Sequence, residues 1–409
     1  MSSPFAKRAL SLALILCLVL VFIPFGVAQE EDEKEAQKLP PEALKALYEA
    51  QMLMGEEKWD EAIAILNTYL ATRPPDVPAI VYMQIGNCWY YKENFEETRK
   101  AFEKAYEIDP SDVKVLANYA NITYQTERFV EAAGLWEKLY GMQDPPESKI
   151  LYQAAAAYYQ GEDLKNSKRV LKRMLELPGP AEHKWYELII DICFQLEEYA
   201  EAEGYILEFL EVKPYQSKYW RMLSQIRLDK EELRKGTSDL EIAFQVEAPT
   251  KQNQWKNLAD LYNYVNAPLM SVRCLKEAYK EAKDAEGFVR MAQAYKSTFR
   301  YDEATKILDE GFKKNPSADL LFEKGRVLYD ATRFREAIDA FKECVKLDPK
   351  RGEAYTLMGF AAWSLMDWDE ARTAFADASR LPKFRVQSNS AIDVLDRLID
   401  EREDVKEEK

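Results

Sequence analysis

One sequence feature restricts this chain more than any other: a small residue returns at nearly constant intervals. The anchors are Ala62, Thr98, Ala132, Ser167, Ala202, Gly236, Ser271, Ala304, Ala337 and Ala371. Their successive spacings are 36, 34, 35, 35, 34, 35, 33, 33 and 34. An aromatic residue or leucine commonly follows four positions later, and another small or bulky apolar residue at seven. That is the pattern of one helix face. A period near 34 is the length of a two-helix unit, and a chain built of such units buries no core until neighbours stack. About twelve residues past an anchor, proline recurs at Pro74, Pro110, Pro214, Pro316 and Pro349. Proline lacks the N–H that a helix interior needs, so it marks the end of each second helix.

Composition agrees. Only 14 of 409 residues are glycine, against a usual share of about 7%. A glycine-poor chain with 31% charged residues leans to helix and away from Rossmann folds, P-loops and β-sandwiches. The formal charge of −15 argues against a general nucleic-acid binder, which needs a basic face. His183 is the one histidine, so histidine-based metal and acid–base chemistry has little to work with. We expect no cofactor and no metal.

The repeat units resemble the tetratricopeptide repeat family, with its W-x2-L-G-x2-Y, A-x3-F-x2-A and P positions. The second unit supplies Tyr82, Ile85, Gly86, Trp89, Thr98, Phe102, Ala105 and Pro110. The tenth supplies Tyr355, Met358, Gly359, Ala362, Ala371, Phe375 and Ala378. Ten units cover residues 43–385. The resemblance implies an all-α, right-handed superhelix (an α-solenoid) of about ten helix-turn-helix repeats. An amphipathic stretch at 386–401, with Ile392, Leu395, Leu398 and Ile399, is expected to cap the stack. Residues 29–42 and 402–409 read as a charged, disordered linker and tail. Units six and seven depart from the pattern. Arg227 replaces an expected aromatic, Gly236 is the anchor, Pro268 opens a second helix, and a polar loop fills 247–254. Residues near 230–270 are therefore the candidates for a bend, with sequence drift as the plainer explanation.

The first 28 residues read as a secretory signal peptide. Lys7 and Arg8 precede an apolar run from Ala9 to Phe25, broken by Ser11 and Pro24, and Gly26-Val27-Ala28 offers a cleavage site before Gln29. An uncleaved anchor is the alternative, although the run is short for a span of roughly 20 residues. Cys17 lies mid-run and lacks a lipidation context. Cleavage removes Lys7 and Arg8 and takes the formal charge from −15 to −17. No other stretch is apolar enough to span a bilayer, so the mature chain is expected to be soluble in an exported compartment: the periplasm, or outside the cell if the source is not Gram-negative. Cys88, Cys193, Cys274 and Cys344 remain, at spacings of 105, 81 and 70. They read as isolated core residues rather than metal ligands or a disulfide framework.

In the resembling family, repeat positions 2, 5, 9, 12 and 13 line a concave groove. Position 12 holds Tyr90, Tyr124, Tyr159 and Phe194 in units two to five. Position 13 holds Tyr91, Gln125, Gln160 and Gln195, and position 9 holds Asn87 and Asn121. Aromatic rings beside carboxamides suit an extended peptide, because amides bond a peptide backbone in both senses. The other reading is that the position-12 rings pack inside the array. A weaker second site is Arg326 and Tyr329 in unit nine with Phe360 and Trp363 in unit ten. The carboxylate clamp of some family members is only partly matched, by Lys114, Asn87 and Asn121, and is not carried over. Asn121-Ile122-Thr123 has the spacing of a glycosylation acceptor but falls inside an expected helix.

No nucleophile elbow, Walker loop or zinc spacing is present. The sequence therefore reads as a non-enzymatic protein-interaction scaffold, with a carboxylate site of the Asp191 or Asp260 kind as the remote enzymatic alternative. Residues 217–385 also resemble periplasmic repeat proteins associated with TonB energy-transduction systems. The matching stretches are SKYWRMLSQI, NQWKNLADLYNYVNAPLMSVRCLKEAY and GFAAWSLMDWDEARTAFADASRLPKFR. That likeness implies a partner among TonB, ExbB and ExbD. A scaffold for outer-membrane protein assembly or polysaccharide export is the alternative.

Overall fold

The computed structural model describes residues 39–72, 74–280 and 285–407, with side chains described to residue 400. The signal peptide, most of the expected linker and residues 408–409 lie outside the described residues. The described residues form twenty-one helices and no strand. They fall into two compact units, divided between Val212 and Lys213. In the first unit the helices are α1 (Pro41–Gly55), α2 (Trp59–Ala71), α3 (Ala79–Tyr91), α4 (Phe95–Ile108), α5 (Val113–Gln125), α6 (Phe129–Met142), α7 (Ser148–Gln160), α8 (Leu164–Leu175), α9 (His183–Gln195) and α10 (Tyr199–Val212). In the second they are α11 (Ser217–Asp229), α12 (Leu233–Val246), α13 (Gln252–Tyr264), α14 (Pro268–Ala278), α15 (Ala285–Lys296), α16 (Tyr301–Lys314), α17 (Ala318–Asp330), α18 (Phe334–Leu347), α19 (Gly352–Ser364), α20 (Trp368–Ser379) and α21 (Arg385–Glu407).

The helices pair as ten hairpins, each odd-numbered helix packing on the next, and within each unit every hairpin packs on its successor. The ten anchors all lie on second helices and all are buried. Their smallness lets two backbones approach. Two seam hydroxyls reach straight across: Ser167 Oγ donates to the Ala155 carbonyl at 2.7 Å, and Ser224 Oγ to the Gly236 carbonyl at 2.7 Å, whereas Thr98 Oγ1 donates to Asn94 O at the start of its own helix. The five prolines fall two or three residues beyond the ends of α2, α4, α10, α16 and α18. Pro268 sits at the start of α14, where its missing N–H costs nothing.

Every hairpin turns through one residue in the left-handed region: Glu57, Glu93, Glu127, Glu162, Glu197, Glu231, Asn266, Phe299, Thr332 and Met366, with φ between 57° and 61°. Two backbone bonds close each turn. In the first, Glu57 N donates to Met54 O at 3.1 Å and Lys58 N to Leu53 O at 2.9 Å. This is a Schellman closure, and glycine is the residue usually found at its left-handed position. Here none of the ten is glycine. The residue that completes the closure also caps the second helix in three hairpins: Asn94, Asp163 and Asp367 accept from the N–H of Glu97, Asn166 and Glu370.

Several boundaries differ from the sequence reading. The first helix starts at Pro41, inside the expected linker, because proline suits a first helical turn. The terminal helix starts at Arg385 and runs through most of the expected tail to Glu407. Its Leu395 and Ser388 are buried, and helix propagation past that packed segment costs little for Glu, Arg and Lys. The division between units falls at 212/213, ahead of 230–270, and units six and seven belong to the same compact unit. Arg227 is accommodated by a buried partner. Its Nη1 donates to both carboxylate oxygens of Asp239, at 3.0 and 2.9 Å, across the hairpin.

Two substitutions separate the seam from the turn. A Cβ at Gly359 would lie 2.7 Å from the fully buried Phe375 ring. Gly359→Ala is expected to lower stability by about 1–3 kcal/mol. Thr332 is β-branched at φ 59°, so Thr332→Gly is expected to raise stability by about 0.5–1 kcal/mol after the added freedom of the unfolded chain is counted. Urea unfolding followed by circular dichroism should move the midpoint in opposite directions for the two variants.

Candidate partner-binding face

The helical period puts repeat positions 2, 5, 9 and 13 on one face of each first helix. In the first unit that face carries Ile80, Met83, Asn87 and Tyr91 on α3, and Lys114, Ala117, Asn121 and Gln125 on α5. It continues as Lys149, Tyr152, Ala156 and Gln160 on α7, and as Lys184, Glu187, Asp191 and Gln195 on α9. Tyr91 and Gln195 are exposed, and Asn87, Asn121, Gln125 and Gln160 are half-buried. All ten residues of the expected first site lie in this unit, on four neighbouring helices.

The position-12 rings are half-buried and engaged. Three of the four face an aromatic residue five positions later, across the left-handed turn; Tyr159, with Leu164 at that place, is held by hydrogen bonds to Asp191 and Gln195 instead. Tyr90 meets Phe95 at 5.9 Å between ring centroids, Tyr124 meets Phe129 at 5.3 Å, and Phe194 meets Tyr199 at 5.6 Å. Tyr124 also lies 5.3 Å from Trp136. Tyr91 stacks on Trp59 at 4.6 Å with 12° between planes. These contacts favour the packing reading for much of each ring surface, while leaving one side of the column accessible. The position-17 partners Trp59, Phe95, Phe129 and Tyr199 were missed, although their own 34-residue recurrence was a readable signal.

The amides join the rings between repeats. Gln195 Nε2 donates to Tyr159 Oη at 2.7 Å and to Asp191 Oδ2 at 2.7 Å, while Tyr159 Oη donates to the same Asp191 oxygen at 2.6 Å. Gln160 hydrogen-bonds the Tyr124 hydroxyl one repeat earlier. Asn121 Oδ1 accepts from Trp136 Nε1 at 3.3 Å, and Asn87 Nδ2 donates to Gln84 Oε1 at 3.3 Å. The Oε1 atoms of Gln125 and Gln160 are buried without a donor. At the other end of the face stands a lysine column at position 2. Lys114 and Lys149 are exposed, and Lys184 lies 4.5 Å above the Tyr152 ring.

The second unit treats its corresponding face differently. Ion pairs cross between neighbouring repeats: Lys256 with Glu286, Arg290 with Asp260, Lys296 with Asp330 at 2.8 Å, Arg351 with Asp319, and Lys383 with Glu353. The expected second site is drawn into packing. Arg326 pairs with Glu323 at 2.8 Å, and Tyr329 meets Phe334 at 5.4 Å. Phe360 lies 5.1 Å from the buried Phe375 ring, and Trp363 lies 6.4 Å from both Phe375 and Trp368.

The carboxylates Asp191 and Asp260 are each committed to neighbours, the first to Tyr159 and Gln195, the second to Arg290. Cys193, Glu198 and Glu201 lie close enough to share an ion, but lysines already occupy that space. Lys168 pairs with Glu198 and Glu201, and Lys172 with Glu201 at 3.1 Å. His183 is an exposed residue at the start of α9, with its ring edge-on to Phe209.

Three matches to repeat models described as tetratricopeptide repeat fall in register with these hairpins, at residues 79–112, 289–351 and 322–383. The chain carries tetratricopeptide repeats. Stress-induced-phosphoprotein 1 of Caenorhabditis elegans is 20% identical over 301 residues, covering 73% of this chain and 72% of that protein. Among solved structures, yeast Tom70 is 16% identical with a TM-score of 0.32, covering 91% of this chain and 97% of that one. The P58(IPK) TPR domain is 15% identical with a TM-score of 0.26, covering 88% and 99%. MamA from Desulfovibrio magneticus RS-1 is 21% identical with a TM-score of 0.33, covering 39% and 91%.

The tetratricopeptide network has a pH signature. Burial first, and then the bond to Asp191, push the Tyr159 hydroxyl up to about 12 from an ordinary value of 10.0. The folded chain keeps this proton where the unfolded chain has lost it. The contribution is fully present below pH 10 and is lost as pH rises towards 12. Tyr159→Phe should therefore flatten part of the decline in the urea midpoint between pH 10 and 12. An unchanged slope would mean that the hydroxyl is not held by Asp191 in solution.

Proposed function

We propose that this chain is an exported, non-enzymatic scaffold of the cell envelope that holds an extended segment of a partner protein on the inner face of α3, α5, α7 and α9. The observation that carries this reading is the use of the described residues: ten hairpins, stacked within each compact unit, and a terminal helix take up nearly all of them. What the chain presents is repeated surface, and protein interaction is the general use of tetratricopeptide repeats. On that surface Ala117 and Ala156 leave room between flanking amides, rings and lysines, which suits an extended backbone better than a folded domain.

The address rests on the first 28 residues, with their basic start, apolar run and small-residue cleavage site. No helix among the described residues is long and apolar enough to cross a membrane. The likeness of residues 217–385 to periplasmic repeat proteins of TonB systems makes TonB, ExbB or ExbD the partner to test first. Mass spectrometry of the chain recovered from an envelope fraction should find a mature N-terminus at Gln29. Recovery only from cytosol, with Met1 intact, would end the export reading.

Partner capture tests the face itself. The position-12 rings are poor test sites because they also hold the hairpins together. Ala117→Arg and Ala156→Arg put bulk on the inner face and keep a good helix former. Together they should weaken capture of TonB, ExbB or ExbD from solubilised envelope by at least tenfold, with the helical dichroism unchanged. Equal capture by wild type and variant would remove this face from consideration.

A further inference from the structure

The two ends of the array are finished differently. At the last hairpin, α21 lays Ser388, Ala391, Ile392 and Leu395 against the stack. At the first, α1 buries Ala43, Ala46 and Ala50 against the array and turns a second stripe outward. That stripe is Leu44, Tyr48 and Met52, at spacings of four, with 44%, 65% and 56% of their surfaces exposed. Three large apolar side chains in line on one helix make a continuous patch, the feature that terminal repeats ordinarily avoid. Neighbouring sequence does not offer an apolar cover once the leader is cut. Residues 29–38 read QEEDEKEAQK, with seven charged side chains and one alanine.

We propose that α1 is a self-association surface, covered by α1 of a second copy of this chain in a two-fold, antiparallel pair centred on Tyr48. The pattern is self-complementary about that residue. Four positions before Tyr48 stands Leu44 and four after it stands Met52, so an antiparallel partner sets Leu44 against Met52 of the other copy and Tyr48 against its own counterpart. The charges on the same flank obey the same symmetry. Lys45 and Glu49 are both exposed and lie 3.9 Å apart within one helix. In the antiparallel pair, Lys45 of each copy lies within one helical turn of Glu49 of the other. A parallel two-fold pair would set the Lys45 and Glu49 flank of one copy against the opposite flank of the other, where Gln51 stands, and would leave both charges without a counterpart across the interface. One charge-complementary edge beside three apolar contacts forms a small interface, so exchange between monomer and dimer should be rapid and concentration-dependent.

Sedimentation velocity on the full chain as recovered from the cell, over a hundredfold range of concentration, should show a monomer–dimer equilibrium. Tyr48→Glu brings two carboxylates together at the symmetry axis and should leave only monomer. The residue is exposed, so circular dichroism should stay unchanged, and Met52→Ser should weaken dimerisation in the same direction without adding charge. Lys45→Glu and Glu49→Lys should each weaken the dimer, and the double exchange should restore it. A wild-type chain that stays monomeric throughout would overturn the proposal, as would a dimer that survives Tyr48→Glu. Failure of the double exchange to restore dimer would overturn the antiparallel register. Monomeric wild type that co-sediments with phosphatidylglycerol–phosphatidylcholine vesicles, with binding lost in Tyr48→Glu, would reassign the stripe to a lipid surface and equally overturn it.

Discussion

The close approach of two helices within each hairpin is the interaction on which the rest of this molecule depends. It needs a small residue on the second helix at one place, and it needs a turn of fixed geometry. The ten turns hold φ within 57–61° although the residue changes from glutamate to asparagine, phenylalanine, threonine and methionine. An L-residue in that region costs roughly 1–2 kcal/mol. Local preference therefore does not choose the conformation. The packed seam on one side and the two closing backbone bonds on the other impose it, and every hairpin is closed by the same turn. Side chains at one repeat position then fall into columns, which is how single residues on α3, α5, α7 and α9 become one face.

What sterics dictates was readable in the sequence. The anchors could be found because only Ala, Ser, Thr or Gly fits the seam, and the helix ends because proline cannot continue a helix. The ring column was harder. Tyr90, Tyr124, Tyr159 and Phe194 occupy a boundary position where an aromatic ring can face a groove or a neighbour with equal propriety, and the partners that decide it lie five residues away in the next helix or, for Tyr159, in the next repeat. The Tyr159–Asp191–Gln195 network joins residues 32 and 36 apart, and no local pattern marks such a pair. The Arg227–Asp239 pair shows the same limit. Arg227 looked like a lapse in the repeat because its compensation sits twelve residues on, inside the seam.

The two compact units use polar side chains in different ways on comparable faces. On this face the first unit links repeats through hydrogen bonds among a phenol, amides and the single carboxylate of Asp191, and leaves the position-2 lysines Lys114 and Lys149 exposed. The second unit links repeats through ion pairs, three of which run from one first helix to the next: Lys256 to Glu286, Arg290 to Asp260 and Lys296 to Asp330. Exposed ion pairs contribute little each, commonly less than about 1 kcal/mol, and salt weakens them. They also occupy the positions from which a partner would be contacted. A partner binding the second unit on that face must break intramolecular pairs and desolvate their charges. One binding the first unit meets hydrogen-bonding groups and aromatic edges that are already partly dehydrated. That difference in cost, rather than any single residue, favours the first unit as the binding half.

Free thiols are the feature that sits least easily with an exported chain, since oxidising compartments usually pair cysteines. The array resolves the conflict by burial. Cys88, Cys193, Cys274 and Cys344 are all buried and unpaired, each in a different hairpin. Burial pushes every one of these thiols up to about 11. At neutral pH such a thiol is ionised to the extent of roughly one part in ten thousand, and the thiolate is the form that attacks a disulfide or an oxidant. Reaching the sulfur would require opening the helix packing that buries it. That packing therefore keeps the cysteines out of redox chemistry, and their presence does not count against the proposed export.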